Sequence, residues 1–195
     1  MSLHVCNADI LKHVANKSHS FPGSNASAIR NSYASRFLAS AIACHPLPDD
    51  LSWEAGVLLS GDGLGVPYHT SLKIASPEIK TVAVLGVGPI GLGNVLLQSR
   101  LGRRVIAVDL SPYRLELAKR LGAVETINAN EEDTTARLRA LTNGVGPDVC
   151  IEAAGKPETG MACFQAVRNG CNRRWRGLRD SCDGFVCDDI RRPPD

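Results

Sequence analysis

An α/β fold, a parallel sheet doubly wound by helices, is the class that this 195-residue chain predicts. Three observations carry the prediction. From residue 81 onward, short β-branched apolar runs alternate with segments of helix length. Glycines and a Ser-Pro pair punctuate the junctions between them. The first apolar run passes into its helix through a cluster of closely spaced glycines. Strand-helix alternation of this kind requires crossover helices and strands that all point the same way.

The elements follow in order. Leu47–Trp53 carries Pro48, Asp49 and Asp50, and Ser52 is placed to cap a helix over 53–59, because its hydroxyl can accept an N–H of the first turn. A glycine turn at 61–63 separates it from a second helix over 64–74, with Pro67 in the first turn, where a missing N–H is tolerated. Strands are predicted at 81–85, 104–108, 125–127 and 148–151. Helices are predicted at 89–101, 112–121, 131–141 and 157–167. Gly102 ends the first of these helices. Ser111-Pro112 is a cap followed by proline at the first helical position, and Gly122 closes the same helix. Glu116 and Arg120 stand four apart on it, as an ion pair would.

Outside this region the pattern fails. Residues 1–45 are rich in Ser, Asn, Ala and His and show no sustained period, apart from weak helical character near 29–43. They read as a poorly ordered remnant without a core of its own. Residues 46–170 form the α/β domain with its leading helices. Residues 171–195 form an atypical tail with Arg but no Lys, Asp but no Glu, and no Ala. The Val/Ile-rich strand that the sheet needs next is missing there, as a slipped reading frame would leave it. The sheet is therefore expected to be incomplete, with poorly ordered segments at both ends. An unpaired strand edge should promote dimers or aggregation.

Composition narrows the class further. A net charge of +2 gives no reason to invoke nucleic acid or an anionic membrane surface. No apolar run approaches the ~18 residues of a membrane span, and a soluble cytoplasmic protein is expected. Seven cysteines, with no C-x-x-C pair, argue against a secreted disulfide framework. Cys171, Cys182 and Cys187 are too loosely spaced for a standard structural zinc site. Cys150 lies within an apolar strand and reads as a small buried hydrophobe.

The glycine cluster carries the chemistry. Gly86, Gly88 and Gly91 form G-x-G-x-x-G directly after a strand, with Pro89 and Ile90 opening the helix. Asp109 closes the next strand about 20 residues on, where a dinucleotide fingerprint places its acidic residue. Gly86 allows the tight turn, Gly88 lets the backbone approach a pyrophosphate, and Gly91 lets the helix pack closely. The helix N-terminus adds free N–H groups and a partial positive charge. The fold expected is thus Rossmann-type. Asp109 favours NAD over NADP, because a carboxylate accepts hydrogen bonds from ribose hydroxyls and repels a 2′-phosphate. Ala154 and Gly155, after the fourth strand, share an edge with Gly86 and should line the same crevice. Glu152 is a poor candidate for a catalytic acid. Arg103 and Arg104 lie at the opposite strand end and are expected to be solvated.

Several segments together resemble one family. Leu47-Pro48-Asp49-Asp50-Leu51-Ser52-Trp53-Glu54-Ala55-Gly56, then Gly61-Asp62-Gly63-Leu64-Gly65-Val66-Pro67-Tyr68-His69-Thr70, then the fingerprint, are similar to the zinc-type alcohol dehydrogenases of the medium-chain superfamily. Arg114–Ala123 and Gly144–Val149 continue the likeness, which covers about residues 45–170. The resemblance implies hydride transfer between a small alcohol or aldehyde and a nicotinamide, with zinc polarising the substrate oxygen. It also implies that Arg114 lines the adenine and that Asp62 stands at a zinc-ligand position. One carboxylate cannot hold a metal, and His4, Cys6, His13 and His19 stand at no ligand spacing. His69 is expected to be packed or half-exposed rather than a ligand. Cofactor binding without turnover is therefore expected of this chain. A catalytically inactive nucleotide-binding fragment, or an interaction module reusing the fold, are the alternatives.

Overall fold

The computed structural model describes residues 4–6, 44–61, 63–168, 174–177 and 185–188. Asp62, His13, His19, Cys171, Cys182 and the weak helical stretch near 29–43 lie outside the described residues. The chain divides into two compact units, Met1–Gly65 and Val66–Asp195. In the first, strands β1 (His4–Cys6) and β2 (Cys44–Pro46) pair antiparallel. Helix α1 (Trp53–Ser60) follows, and the Ser52 hydroxyl accepts the Ala55 N–H at 3.2 Å, as its sequence position predicts.

The second unit begins with the body of α2 (Gly65–Lys73). There follow β3 (Thr81–Leu85), α3 (Pro89–Arg100), β4 (Arg104–Asp109), α4 (Pro112–Arg120) and β5 (Glu125–Asn128). Next come α5 (Thr134–Ala140), β6 (Val149–Glu152), α6 (Pro157–Ala166), β7 (Arg174–Gly177) and β8 (Phe185–Asp188). The sheet order is β5-β4-β3-β6-β8-β7. The first four strands are parallel, with Val82 opposite both Val105 and Val149. This is the α/β, Rossmann-type parallel sheet that the alternation predicts.

Strand period sorts the core into two layers. Val82, Val84, Val105, Ala107, Val149 and Ile151 face α3 and α4, where Val95, Leu115 and Ala118 meet them. Ala83, Leu85, Ile106, Val108 and Cys150 face the other way, toward Leu138 of α5 and Cys163 and Ala166 of α6. Both faces of β3 are sealed, so its side chains from Val82 to Leu85 are fully buried. Val82, Val84 and Leu85 each contribute about 1.5–3 kcal/mol. That explains why these strands read as continuous apolar runs rather than alternating ones.

Several expectations are corrected. The open edge foreseen beside β6 is filled: β8 pairs with it antiparallel, Ile151 opposite Val186, and β7 pairs with β8. The outer strands of this sheet are β5 and β7. Phe185-Val186-Cys187 is a short apolar run inside a charged tail, enough for one strand. Helix α5 starts at Thr134 rather than 131, because the Asp133 carboxylate caps it by accepting the Ala136 N–H at 2.6 Å. Among the described residues no ion pair joins Glu116 to Arg120. Arg103 and Arg104 are not simply solvated. Arg103 donates to the Ile74 carbonyl at 2.7 Å and to the Gln98 side chain, and burial pulls its guanidinium pKa below the ordinary value. Arg104 donates to the Leu141 carbonyl at 2.9 Å.

A candidate dinucleotide cleft

Strands β3 and β6 are neighbours whose crossovers leave in opposite directions, and a crevice opens at their carboxyl ends. Ligands of open α/β sheets bind at such a switch point. The crevice has a volume of about 890 Å³. Gly86, Gly88, Pro89, Asp109, Arg114 and Ala154 all line it. Ile90, Gly91 and Gly155 adjoin those residues in the chain and are not among its described lining.

The three glycines differ in what they permit. Gly86 has φ +87°, in the left-handed region, and an added Cβ would stand 2.6 Å from the Ala154 nitrogen. Backbone and packing both demand glycine there. At Gly91 an added Cβ would run into the Gly86 carbonyl oxygen, with Val84 Cγ1 3.6 Å away. The close approach foreseen between helix and sheet is thus first an approach of the helix to its own entry loop. Gly88 is constrained by neither. Its φ is −69° and ψ −168°, an extended conformation open to any residue, and an added Cβ would meet no protein atom within 4 Å. The space beside it belongs to the cleft. Gly88 also forms the N-cap of α3 without a side chain, with Pro89 at the first helical position.

Asp109 is held by the loop it faces. One carboxylate oxygen accepts the Val87 N–H at 2.8 Å and the other the Ser111 N–H at 2.9 Å. Arg114 Nη1 lies 3.9 Å from the first of these. The Asp109 side chain keeps 8% of its surface exposed, against 53% for Arg114. A carboxylate has about four acceptor positions. Two therefore remain for a ligand after the backbone contacts are made.

The far wall follows β6. Glu152 is 1% exposed, and its Oε1 accepts the Ala154 N–H at 2.9 Å, the Gly155 N–H at 3.0 Å and the Thr159 hydroxyl at 2.6 Å. Its carboxylate shapes the turn and does not point at the cleft as an acid would. Lys156, Glu158 and Thr159 line this wall, and Thr134 of α5 lines the other end. Sequence reading missed all four. Their signal was position, since the first turns of helices after parallel strands face the same edge. His69 is exposed on α2. Among the described residues no three His, Cys, Asp or Glu side chains converge on a point that could hold a metal ion. No described donor set fits zinc.

Known proteins share this arrangement of strands and helices. Residues 89–172 match the family model described as zinc-binding dehydrogenase. Over these residues the chain is similar to the zinc-binding dehydrogenases. It is 35% identical over 125 residues to sorbitol dehydrogenase of Bacillus subtilis (strain 168), covering 64% of this chain and 35% of that protein. It is 43% identical over 108 residues to L-threonine 3-dehydrogenase of the same organism, covering 55% and 31%. Among solved structures, the alcohol dehydrogenase TADH from Thermus sp. ATN1 superposes with a TM-score of 0.61 at 36% identity, over 65% of this chain and 37% of that one. The chain thus spans about a third of the length of the family members it matches. Those members are oxidoreductases by name. No helix among the described residues is long and apolar enough to cross a membrane.

Proposed function

We propose that this chain is the nucleotide-binding part of an alcohol-dehydrogenase-type oxidoreductase, and that it binds NAD without carrying out turnover by itself. The observation that carries the reading is Gly88: a glycine required by neither backbone nor packing, beside an open cleft, at the cap of a helix. A pyrophosphate would rest there against backbone N–H groups and the positive end of α3. Asp109 would accept the adenosine ribose hydroxyls, and its charge favours NAD over NADP. Arg114, Leu110 and Ala129 would line the adenine. Ala154 and Gly155 would face the middle of the dinucleotide. When bound, NAD supplies a hydride acceptor. The residues described here bind and orient it. The parent reaction would oxidise a small alcohol, or reduce the corresponding aldehyde or ketone. Asp62 remains a proposed zinc position without a described shell. We place the protein in the cytoplasm, as the cysteine usage suggests, with neither nucleic acid nor membrane as partner.

Equilibrium dialysis with labelled NAD, run beside an absorbance assay for NADH, tests this reading. One NAD bound per chain, with no NADH formed on adding sorbitol, L-threonine or ethanol, is expected. Absence of binding would refute the cofactor assignment. Alcohol-dependent NADH formation would refute the restriction to binding.

A further inference from the structure

Helix α1 exposes most of its apolar surface. Trp53, Val57, Leu58 and Leu59 are each half or more exposed, on a helix of eight residues. Its surroundings are acidic. Asp49, Asp50 and Glu54 are exposed, and the sequence has no Lys or Arg from Pro46 to Gly65. A contiguous exposed apolar patch with a polar rim marks an interaction surface.

The second unit carries a surface of the opposite charge. One groove runs between α2 and the end of α3, with Tyr68, Leu72, Ile79 and Leu101 in its lining. Another runs between the ends of α3 and α4, with Leu96, Leu121 and Val124 in its lining. The two share Gly102 and Arg103 and so form one continuous surface. Tyr68, Leu72, Leu101 and Val124 are each more than half exposed on it. Lys80 lines the first groove, and Arg100 and Arg120 line the second, while no Asp or Glu is among the described lining of either. No described carboxylate pairs with these three cations. Neither groove shares a lining residue with the nucleotide cleft.

We propose that the joined grooves receive α1 of a second copy of this chain, so that copies associate head to tail. Charge selects this pairing over its rivals. Two α1 helices would bring acidic flanks together, and two grooves would bring arginines together. Like charges facing one another across an interface are disfavoured. With α1 in the groove, the carboxylates of one copy meet the cations of the other, and the exposed apolar side chains of both leave water. Each copy offers one helix and one groove, so the contact is heterologous.

Sedimentation equilibrium of the full chain, in reducing buffer without nucleotide, measures the association. The mass of the native chain should rise above that of the monomer with concentration. Leu58→Glu on α1 and Leu72→Glu in the groove replace exposed residues, so circular dichroism should be unchanged. Each alone should weaken association about tenfold or more, because a carboxylate is then buried against apolar surface. An equimolar mixture of the two should form a one-to-one pair, one variant supplying the groove and the other the helix. A native chain that stays monomeric at about 0.1 mM would overturn the proposal. So would native-like association of either variant alone, which would place the contact between two helices, two grooves or two sheet edges. A mixture no heavier than its components would also overturn it. Glu54→Lys and Arg120→Glu test the pairing by charge alone. Each should weaken association, and the two in one chain should recover it; no recovery would overturn the pairing.

Discussion

Gly88→Val separates binding from folding. The native backbone at residue 88 is extended, and its Cβ direction meets nothing within 4 Å, so the valine side chain enters the cleft rather than the core. The folding cost is confined to the helix cap, where glycine is preferred over valine by about 1 kcal/mol or less. For a chain of this size that lowers Tm by about 2–4 °C. Binding suffers far more. A pyrophosphate displaced from the loop loses about two charge-assisted hydrogen bonds to backbone N–H groups, each contributing about 1.5–3 kcal/mol. The sum is about 3–6 kcal/mol, or roughly a hundredfold to ten-thousandfold in Kd. Calorimetric titration with NAD, beside circular dichroism and a melting curve on both proteins, measures both sides. Equal NAD affinity in the two proteins would refute the assignment of this loop. So would a fall of Tm much beyond that range, because Gly88 would then have a structural reason to be glycine.

Other residues should respond differently. Gly91→Ala should destabilise the fold by about 2 kcal/mol, since overpacking against the Gly86 carbonyl costs up to about 3 kcal/mol and helix propensity returns about 1; an unchanged urea midpoint would contradict the contact. Asp109→Asn removes the charge but keeps an acceptor for Val87 or Ser111, so NAD should bind about tenfold more weakly while the preference over NADP narrows, and an unaltered NAD to NADP affinity ratio would remove Asp109 from the site. Glu152→Ala takes one acceptor from three donors at the β6 turn and should cost about 2–4 kcal/mol by denaturant titration. Glu152→Gln, which retains a carbonyl oxygen, should recover a good part of that loss, and identical losses in the two variants would show that the turn does not depend on this acceptor.

The legible part of the fold was the part fixed by local chemistry. β3, α3, β4 and α4 are within a residue of expectation, because glycines, caps and buried runs mark their ends in the sequence. The start of α5 was misplaced because Asn128 and Glu131 bond side chain to side chain in a turn that looks helical by composition. Partners distant in sequence were not legible. Arg103 looks like a surface charge until α2 brings the Ile74 carbonyl beside it. Asp148 reads as the first residue of a strand, yet one of its oxygens accepts the Lys80 and Thr81 N–H groups, both at 2.8 Å, while the other pairs with Arg168 at 3.0 Å. β8 hid within a charged tail because its pairing with β6 is set across the sheet. At the site, the glycine loop and Asp109 were readable from spacing. The inward turn of the Glu152 carboxylate was not, since only the path of the chain after β6 brings the Thr159 hydroxyl to it.

The central claim is that a dinucleotide rests on the Gly88 loop, and amide-resolved NMR during a titration with NAD tests it most directly. Saturable shifts should concentrate at Val87, Gly88, Ile90, Asp109, Ser111 and Ala154. The groove lined by Tyr68 and Leu72 on α2 and by Leu101 at the end of α3 should stay unmoved. Shifts confined to that groove, or no shifts at all, would contradict the account.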